Sequence, residues 1–501
     1  MTGVEGGVLA EALRHHGDAE AIRMGATSLT WSALAGASRR TRYALEGAGV
    51  GQGDLVAVLA PPSLEGTALL FALLDLGAPM LPLNARLSET EQAQAITDTH
   101  ARFLVVAPDD ALGTRLATET GCGLLALAPL DGASPLARLA SPAPDRTDEH
   151  ARAAERRRAE GAALVLRTSG TSGRPKGAVL GLDNLIASAD GAASLLGSAS
   201  SDRWLLCMPL FHIGGLAILM RASRVGASVV LHARFDEAEV ARALDEDGIT
   251  RVSFVAAMLE RVLAARGERP APAALELVLL GGGPASDDLI RRAEALGYPV
   301  APTYGLTEAA SQVATRPPGK AVDEPAGGLV PLAGVSLRIV DETDAACAPG
   351  VEGEIQVRGA IVMRGYLDDP EASRAALTDG WLATGDIGRL DDTGRLRVLD
   401  RRTDLIVSGG ENVYPAQIES VLEAHPDVVE AGVRGLDDET YGARPAAWVV
   451  LRAGARLAPS ELLVYCRERL AGYAVPVDVE AVDALPRNAT GKLLRRRLGE
   501  G

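Results

Sequence analysis

The chain has 501 residues, too many for one hydrophobic core, so two or three domains are expected. Apolar residues make up 47% and charged residues 23%, the balance of a globular protein; aromatics reach only 3%, which leaves the core to Leu, Val and Ala. With 50 Lys+Arg against 66 Asp+Glu the net charge is −16, which argues against general binding to nucleic acid or to an anionic membrane and makes any basic residue inside a motif more informative.

From the N-terminus, 1–50 read as helix and turn: 8–15 is apolar on one helical face, and 32–46 is another helical stretch. Strand and helix then alternate, with an apolar strand at 55–60 closed by Pro61-Pro62, a helix at 66–76 and a strand at 102–107. Alternation of this kind predicts βαβ units and mainly parallel sheets, an α/β protein. The apolar run 69–83 is interrupted by Asp75, Pro79 and Pro82 and falls short of a membrane span, and no basic-then-apolar leader opens the sequence. Residues 131–160 are rich in Ala, Pro, Arg and Asp and read as an exposed crossover ending in a charged helix at 148–160, with Arg156, Arg157 and Arg158 on a solvated face. Cys122, Cys207, Cys347 and Cys466 stand far apart, with no CxxC and no metal-ligand spacing, which fits a reduced cytoplasm.

An apolar strand at 162–166 runs through Arg167 into Thr168-Ser169-Gly170-Thr171-Ser172-Gly173-Arg174-Pro175-Lys176-Gly177. Glycine permits positive φ, so successive N–H groups of such a loop can turn inward as a concave nest; the hydroxyls add neutral donors and Arg174 and Lys176 add charge. The loop suits a polyphosphate. It is not a Walker A loop, because Pro175 precedes Lys176 where that pattern needs Gly, and Gly177 follows where it needs Ser or Thr.

Further apolar strands are expected at 204–208, 228–231, 252–255, 277–280 and 299–303, with helices between them. Gly281-Gly282-Gly283-Pro284 follows one of these strands, and bare backbone there lets a planar ligand approach closely. Thr303-Tyr304-Gly305-Leu306-Thr307-Glu308 ends another, where open α/β sheets place their ligands. Tyr304 can stack on a flat base, Thr307 can donate to a phosphate and Glu308 can hold Mg²⁺, a cation that takes oxygen ligands. From residue 328 short alternating strands with Gly and Asp turns predict a β-rich subdomain, with Thr384-Gly385-Asp386 ahead of a hairpin-like stretch. Beyond Asp400 the elements are fewer and αβ again, so a domain boundary is expected at 401–404, with a large domain 1–400 and a small one 401–501.

These motifs, with Asp400-Arg401-Arg402-Thr403-Asp404, Ser408-Gly409-Gly410-Glu411-Asn412-Val413-Tyr414-Pro415 and Pro486-Arg487-Asn488-Ala489-Thr490-Gly491-Lys492, resemble the adenylate-forming superfamily of acyl- and aryl-CoA synthetases, adenylation domains and luciferases, from about residue 10 to the C-terminus. The resemblance implies a large domain of parallel α/β sheets with a β-rich subdomain, and a small mobile α+β C-terminal domain. It implies ATP, Mg²⁺ and CoA as cofactors and co-substrates. It assigns the loop Thr168, Ser169, Gly170, Thr171, Ser172, Gly173 and Lys176 to the β- and γ-phosphates of ATP, Gly282, Gly283 and Pro284 to the adenine edge, and Tyr304 to adenine itself. Thr307 falls to the α-phosphate, Glu308 to the metal, Asp386 to the ribose hydroxyls and Arg401 to the nucleotide. Thr403 or Asp404 becomes the hinge and Lys492 the catalytic lysine. Arg167 departs from the pattern, since an aromatic residue is usual there.

The acid is signalled elsewhere. Pro209-Leu210-Phe211-His212-Ile213-Gly214-Gly215 leads into an apolar helix expected to end at Met220-Arg221, where Arg221 interrupts apolar surroundings. His212 reads as lining the acyl pocket or thiol channel, Arg221 as pairing with a second carboxylate of the substrate, and Ser311 and Gln312 as polar groups nearby. Within the superfamily these segments are most similar to CoA ligases of an aromatic keto-dicarboxylic acid. Other readings stay open: another aryl- or acyl-CoA ligase, a stand-alone enzyme that loads a carrier protein, or a nucleotide-binding regulator without catalysis. Self-association is open as well.

Overall fold

The computed structural model describes residues 7–130, 136–138, 148–169, 175–282, 285, 287–317, 328–341, 343–400, 406–413, 415–455, 457–486 and 495–499. The chain divides into two compact units: Met1–Ala85, Ala95–Leu166 and Gly177–Leu399 form the first, and Arg86–Gln94, Arg167–Lys176 and Asp400–Gly501 the second.

The first unit carries three sheets. A nine-stranded sheet is ordered Val330–Pro331, Ser311–Thr315, Val300–Leu306, Leu277–Leu280, Arg251–Phe254, Arg203–Leu206, Ser228–Leu231, Glu20–Met24 and Thr27–Thr30. Its six inner strands are parallel and its margins antiparallel. An eight-stranded sheet is ordered Gly365–Tyr366, Pro175–Gly181, Ala162–Ser169, Met80–Pro82, Val56–Leu59, Phe103–Val106, Gly123–Leu127 and Leu136–Arg138. The third sheet holds Ser336–Val340, Gly353–Arg358, Trp381–Leu390 and Leu377–Thr378, with Leu396–Asp400 paired to Trp381–Leu390. It is the β-rich subdomain expected from the change of pattern after residue 328.

Parallel sheets need cover on both faces, and their strands accordingly read as apolar runs. Leu205 packs into one core cluster while its neighbours Trp204 and Leu206 pack into another, so the nine-stranded sheet buries both faces. The larger cluster joins residues of both big sheets to helices Leu64–Leu76, Leu182–Leu196 and Ile213–Val225. Helix Leu64–Leu76 is apolar almost all round because it is buried almost all round, from Leu64 to Leu74. Each fully buried Leu there contributes about 1.5–3 kcal/mol. Ser63 caps its first turn, accepting from the Gly66 N–H, and Gly77 ends it at φ 68°, a conformation that favours glycine.

Three sequence expectations need correction. Residues 20–30, taken as helix and turn, form a hairpin at the sheet edge; the polar strand Thr27-Ser28-Leu29-Thr30 carries no alternating signal because both of its sides are accessible. Leu136–Arg138 is an edge strand within the segment read as an irregular crossover. Arg157 is buried, donating from Nε to the Gly53 carbonyl at 3.0 Å, whereas Arg156 pairs with Asp368 at 2.8 Å. The face of helix Asp148–Ala159 that packs inward carries Ala153, Ala154 and Arg157, one helical turn apart, so one member of the basic cluster faces the core.

The second unit has a five-stranded sheet of Glu411–Val413, Ile406–Ser408, Gly442–Leu451 and Val428–Asp438, with Val479–Ala481 alongside Gly442–Leu451. Helices Pro415–Glu423 and Pro459–Arg467 contribute to its core through Ile418, Leu422, Leu462 and Cys466. Ile406–Ser408 and Glu411–Val413 form a hairpin whose two-residue turn is Gly409-Gly410, at φ 58° and 83°. Positive φ at both turn positions matches the twist of the strands and explains the paired glycines.

Candidate active site

The strand Val300–Leu306 ends at the segment the sequence singled out. Thr307–Ala309 is a single helical turn, after which Ala310 and Ser311 both take positive φ, 51° and 101°, to send the chain back as strand Ser311–Thr315. Two such residues in succession cost roughly 1–3 kcal/mol each, and strain of this kind gathers at functional sites. The turn is held from outside: Ser188 Oγ donates to the Ala310 carbonyl at 2.7 Å, and Met363 N–H donates to the Glu308 carbonyl at 2.8 Å. A Cβ on Gly305 would stand 1.7 Å from the Ser311 carbonyl oxygen, so only glycine fits the return.

Asp386 meets this segment. It lies within strand Trp381–Leu390, the first arm of the hairpin with Leu396–Asp400 that the sequence suggested would follow, at a bulge where the pairing with Gly353–Arg358 shifts register. Gly385 takes φ 71° there, and its N–H donates to Glu354 Oε1 at 2.8 Å; Thr384 Oγ1 donates to the Ile355 carbonyl at 2.6 Å. The bulge turns the Asp386 carboxylate onto the Tyr304 hydroxyl, which donates to Oδ2 at 2.7 Å with both side chains buried. Glu308 is met the same way by Tyr366, whose hydroxyl donates to Oε1 at 3.0 Å. Among the described residues Glu308 Oε2 has no hydrogen-bond or ion-pair partner. A carboxylate with one oxygen tied and one open, beside a hydroxyl-bearing turn at a strand end, fits a hard divalent cation.

Gly281 and Gly282 close strand Leu277–Leu280. A Cβ on Gly281 would meet Thr303 Cγ2 at 2.7 Å, and Gly282 is exposed at φ 79°. The bare backbone required of an adenine platform is therefore present. Thr168 and Ser169 end strand Ala162–Ser169 and Lys176 lies at the start of strand Pro175–Gly181. Gly170, Thr171, Ser172, Gly173, Gly283, Pro284, Arg401, Thr403, Asp404 and Lys492 lie outside the described residues.

Of the acyl-side residues, Arg221 and Gln312 meet. His212 precedes helix Ile213–Val225, its ring 4.7 Å from that of Phe211. Arg221 sits two helical turns on, only 2% exposed, and donates from Nη1 to Gln312 Oε1 at 3.0 Å. Its guanidinium lies 4.9 Å from the centre of the Trp204 ring, a cation–π contact. No carboxylate pairs with it among the described residues, and Nε has no partner. Burial, reinforced by the Arg251 charge, pushes its pKa down to about 10, which still leaves a cation at neutral pH. Arg251 has Asp202 at 2.6 Å; among the described residues Arg221 has an amide and a ring face. Gln312 is fixed in turn by donating to Thr315 Oγ1 at 2.8 Å. A closed crevice lined by Leu185, Ser188, Ala189, Ala217, Met220 and Ala310, too tight to admit a water molecule, borders Arg221. The chemistry of a buried cation against apolar walls matches an anion that carries its own apolar body, and the crevice must open to admit one.

Parallel strands ending in a glycine platform, two tyrosine-tethered carboxylates and a strained hydroxyl turn define an α/β enzyme that uses a nucleotide. The chain belongs to the AMP-binding enzyme family, whose main domain matches residues 9–367 and whose C-terminal domain matches residues 417–492. It is 41% identical over 478 residues to a 2-succinylbenzoate–CoA ligase of Geobacillus kaustophilus, covering 95% of this chain and 94% of that one. Among solved structures it is similar to an o-succinylbenzoate CoA synthetase double mutant from Bacillus subtilis bound with a product analogue, at TM-score 0.87 and 34% identity over 99% and 98% of the two chains. It is also similar to the Bacillus subtilis synthetase in complex with ATP and magnesium ion, at TM-score 0.69 and 34% identity over 98% of each chain. The fold is that of these adenylate-forming enzymes.

Sequence reasoning did not find Tyr366, Glu354, Ser188 or Trp204. Tyr366 follows Gly365 in a two-residue edge strand, too short for any periodic signal. Trp204 was read only as the start of a core strand, since nothing in its own segment marks the distant cation that it faces.

Proposed function

We propose that this enzyme is an ATP-dependent, AMP-forming acid–CoA ligase whose acid is o-succinylbenzoate, the ligation that the family resemblance assigns to menaquinone biosynthesis. The observation that carries the choice of acid is the buried Arg221, which has an amide and an indole ring but, among the described residues, no carboxylate to answer its charge. That acid carries two carboxylates; one reacts and the other answers Arg221, with Gln312 and Ser311 as polar neighbours and His212 along the acyl path. The relatives' names supply independent support for the same acid.

In the first half-reaction the aliphatic carboxylate attacks the α-phosphorus of ATP, the bond to the β-phosphate oxygen breaks, and pyrophosphate leaves behind an acyl-adenylate. The loop Thr168–Gly177 holds the β- and γ-phosphates through backbone N–H groups, hydroxyls and Lys176. Thr307 donates to the α-phosphate, Tyr304 and the Gly282–Pro284 backbone border adenine, and Asp386 accepts from the ribose hydroxyls. Glu308 would hold Mg²⁺, which when bound neutralises phosphate charge as pyrophosphate departs. Lys492 places a cation between the attacking carboxylate and the α-phosphate, offsetting their repulsion. In the second half-reaction the small domain turns about Thr403–Asp404 with Arg401 at the nucleotide, the CoA thiol attacks the acyl carbonyl, and AMP leaves. We place the enzyme in the cytoplasm: its four cysteines are free, three of them buried, and no helix among the described residues is long and apolar enough to cross a membrane.

The deciding experiment measures acid-dependent pyrophosphate release and thioester formation with o-succinylbenzoate, benzoate and medium-chain fatty acids side by side. The reading requires o-succinylbenzoate to be preferred in both assays. Equal turnover of benzoate would remove the second-carboxylate assignment, and release of pyrophosphate with no CoA thioester would point to a carrier-protein acceptor.

A further inference from the structure

We propose that Tyr366 is a positioning residue for Glu308: its phenol holds one carboxylate oxygen so that the other faces a divalent cation bound with the nucleotide phosphates. The proposal rests on the reading of Glu308 as the metal-holding carboxylate. Tyr366 Oη donates to Glu308 Oε1 at 3.0 Å, and Oε2 has no partner among the described residues. Glu308 is a short distance into a turn that its own carbonyl helps fix, through the Met363 N–H at 2.8 Å. What remains to be set is the rotation of its carboxylate, and that is what the phenol sets.

Tyr366 is itself held more firmly than a two-residue strand requires. Its N–H donates to Ser373 Oγ at 2.8 Å, and that hydroxyl donates to the Asp369 carbonyl at 2.7 Å. Tyr366 pairs with Ala178 and Gly365 with Val179, and Leu367 N–H donates to the Gly177 carbonyl at 2.7 Å. Gly365 takes φ 138°, and a Cβ there would stand 2.9 Å from Ser373 Oγ, so the segment tolerates no other residue at that point. Ala178 and Val179 belong to strand Pro175–Gly181, which leaves the predicted phosphate loop. The phenol thus links the strand after that loop to the turn that carries the metal carboxylate. A neutral donor on one oxygen leaves the carboxylate its full charge and removes its rotational freedom. Outer partners of this kind typically contribute 10–100-fold to metal affinity.

A purely structural cross-link would look the same in coordinates, so the test separates the two. Calorimetric titration of the full chain with ATP and with AMP, each with and without Mg²⁺ and without acid, reads binding with no turnover. In the wild type Mg²⁺ should tighten ATP and leave AMP unchanged. Tyr366→Phe keeps the ring and should cut the Mg²⁺-dependent gain for ATP about tenfold, with AMP affinity unaltered. Glu308→Gln should abolish the gain, and adding Tyr366→Phe to it should change nothing more. An undiminished gain in Tyr366→Phe overturns the proposal, and so does an equal loss of AMP and ATP affinity, which would make the bond a structural one. A wild type in which Mg²⁺ does not tighten ATP overturns the reading of Glu308, and the proposal with it.

Discussion

The two ends of the candidate site handle charge in opposite ways. At the nucleotide end the charges are carboxylates, and each has a tyrosine hydroxyl: Tyr304 on Asp386 and Tyr366 on Glu308. They are oriented before any ligand arrives. At the acyl end the charge is the Arg221 cation, buried to 2% exposure with an amide, an indole face and, among the described residues, no acid. An oriented, tethered carboxylate serves any acid that the enzyme activates. An unanswered buried cation serves only an acid with a second negative charge. On the function proposed above, the difference separates the part of the molecule that performs adenylation from the part that selects what is adenylated, and each of its terms can be broken separately.

The largest effect is expected where geometry allows no substitute. Gly305→Ala places a Cβ 1.7 Å from the Ser311 carbonyl, a backbone atom that a neighbouring rotamer change does not relieve. The strand return must open, at a cost of more than about 4 kcal/mol. Chemical denaturation should show that loss, and AMP binding should fall with it. A variant that melts like the wild type would mean that the return is not fixed as described.

Lys492→Ala comes next, and it tests the shared half of the comparison. Loss of the cation should lower acid-dependent pyrophosphate release about 10²–10³-fold for every acid alike. Thioester formation from a supplied acyl-adenylate should be largely spared, because Lys492 is not needed there. Equal loss in both half-reactions would end the two-step assignment of roles.

Arg221→Met tests the selective half, with opposite signs in two measurements. Specificity (kcat/KM) for the two-carboxylate acid should fall roughly 10–100-fold while monocarboxylic acids are unaffected, since one charge-assisted contact is worth about 1.5–3 kcal/mol. Stability should hold or rise by about 1–2 kcal/mol, because burial of the cation is offset only by Gln312 and Trp204. A loss of selectivity accompanied by a large loss of stability would mean that Arg221 is a structural residue.

The same division explains what the sequence made legible. The residues proposed for nucleotide chemistry lie in contiguous runs, so Tyr304, Thr307 and Glu308 were read together, and the structure has them on one strand end and turn. The inner strands were visible because parallel strands covered on both faces need unbroken apolar residues; 228–231 and 277–280 fall where they were expected. Arg221 was read as a cation in an apolar helix with Ser311 and Gln312 as polar groups nearby, and the structure does bring Gln312 to it. Trp204 lies in another segment, and nothing in one linear run shows that its ring faces the cation. Arg157 failed for the reverse reason: a run of three arginines looks solvated, yet a helix presents each of them in a different direction. The hairpin at 20–30 and the two-residue strand with Tyr366 were lost because edge strands that short carry no period to detect.

The smallest effect is the most discriminating for the nucleotide end. Tyr304→Phe removes a single oxygen, the donor that Asp386 Oδ2 accepts from at 2.7 Å, and leaves the ring and its packing in place. If Asp386 binds ribose because it is held in advance, AMP affinity should fall about tenfold, the worth of one hydrogen bond to a charged group. Binding of pyrophosphate, which has no ribose, should not change. The loss should be the same for every acid, since neither Tyr304 nor Asp386 faces the acyl crevice that Arg221 borders. A Tyr304→Phe enzyme with altered preference among acids would show that the two ends are coupled through the turn at Ala310, which borders that crevice and follows Tyr304 by six residues, and the division between adenylation and selection would have to be redrawn around that turn.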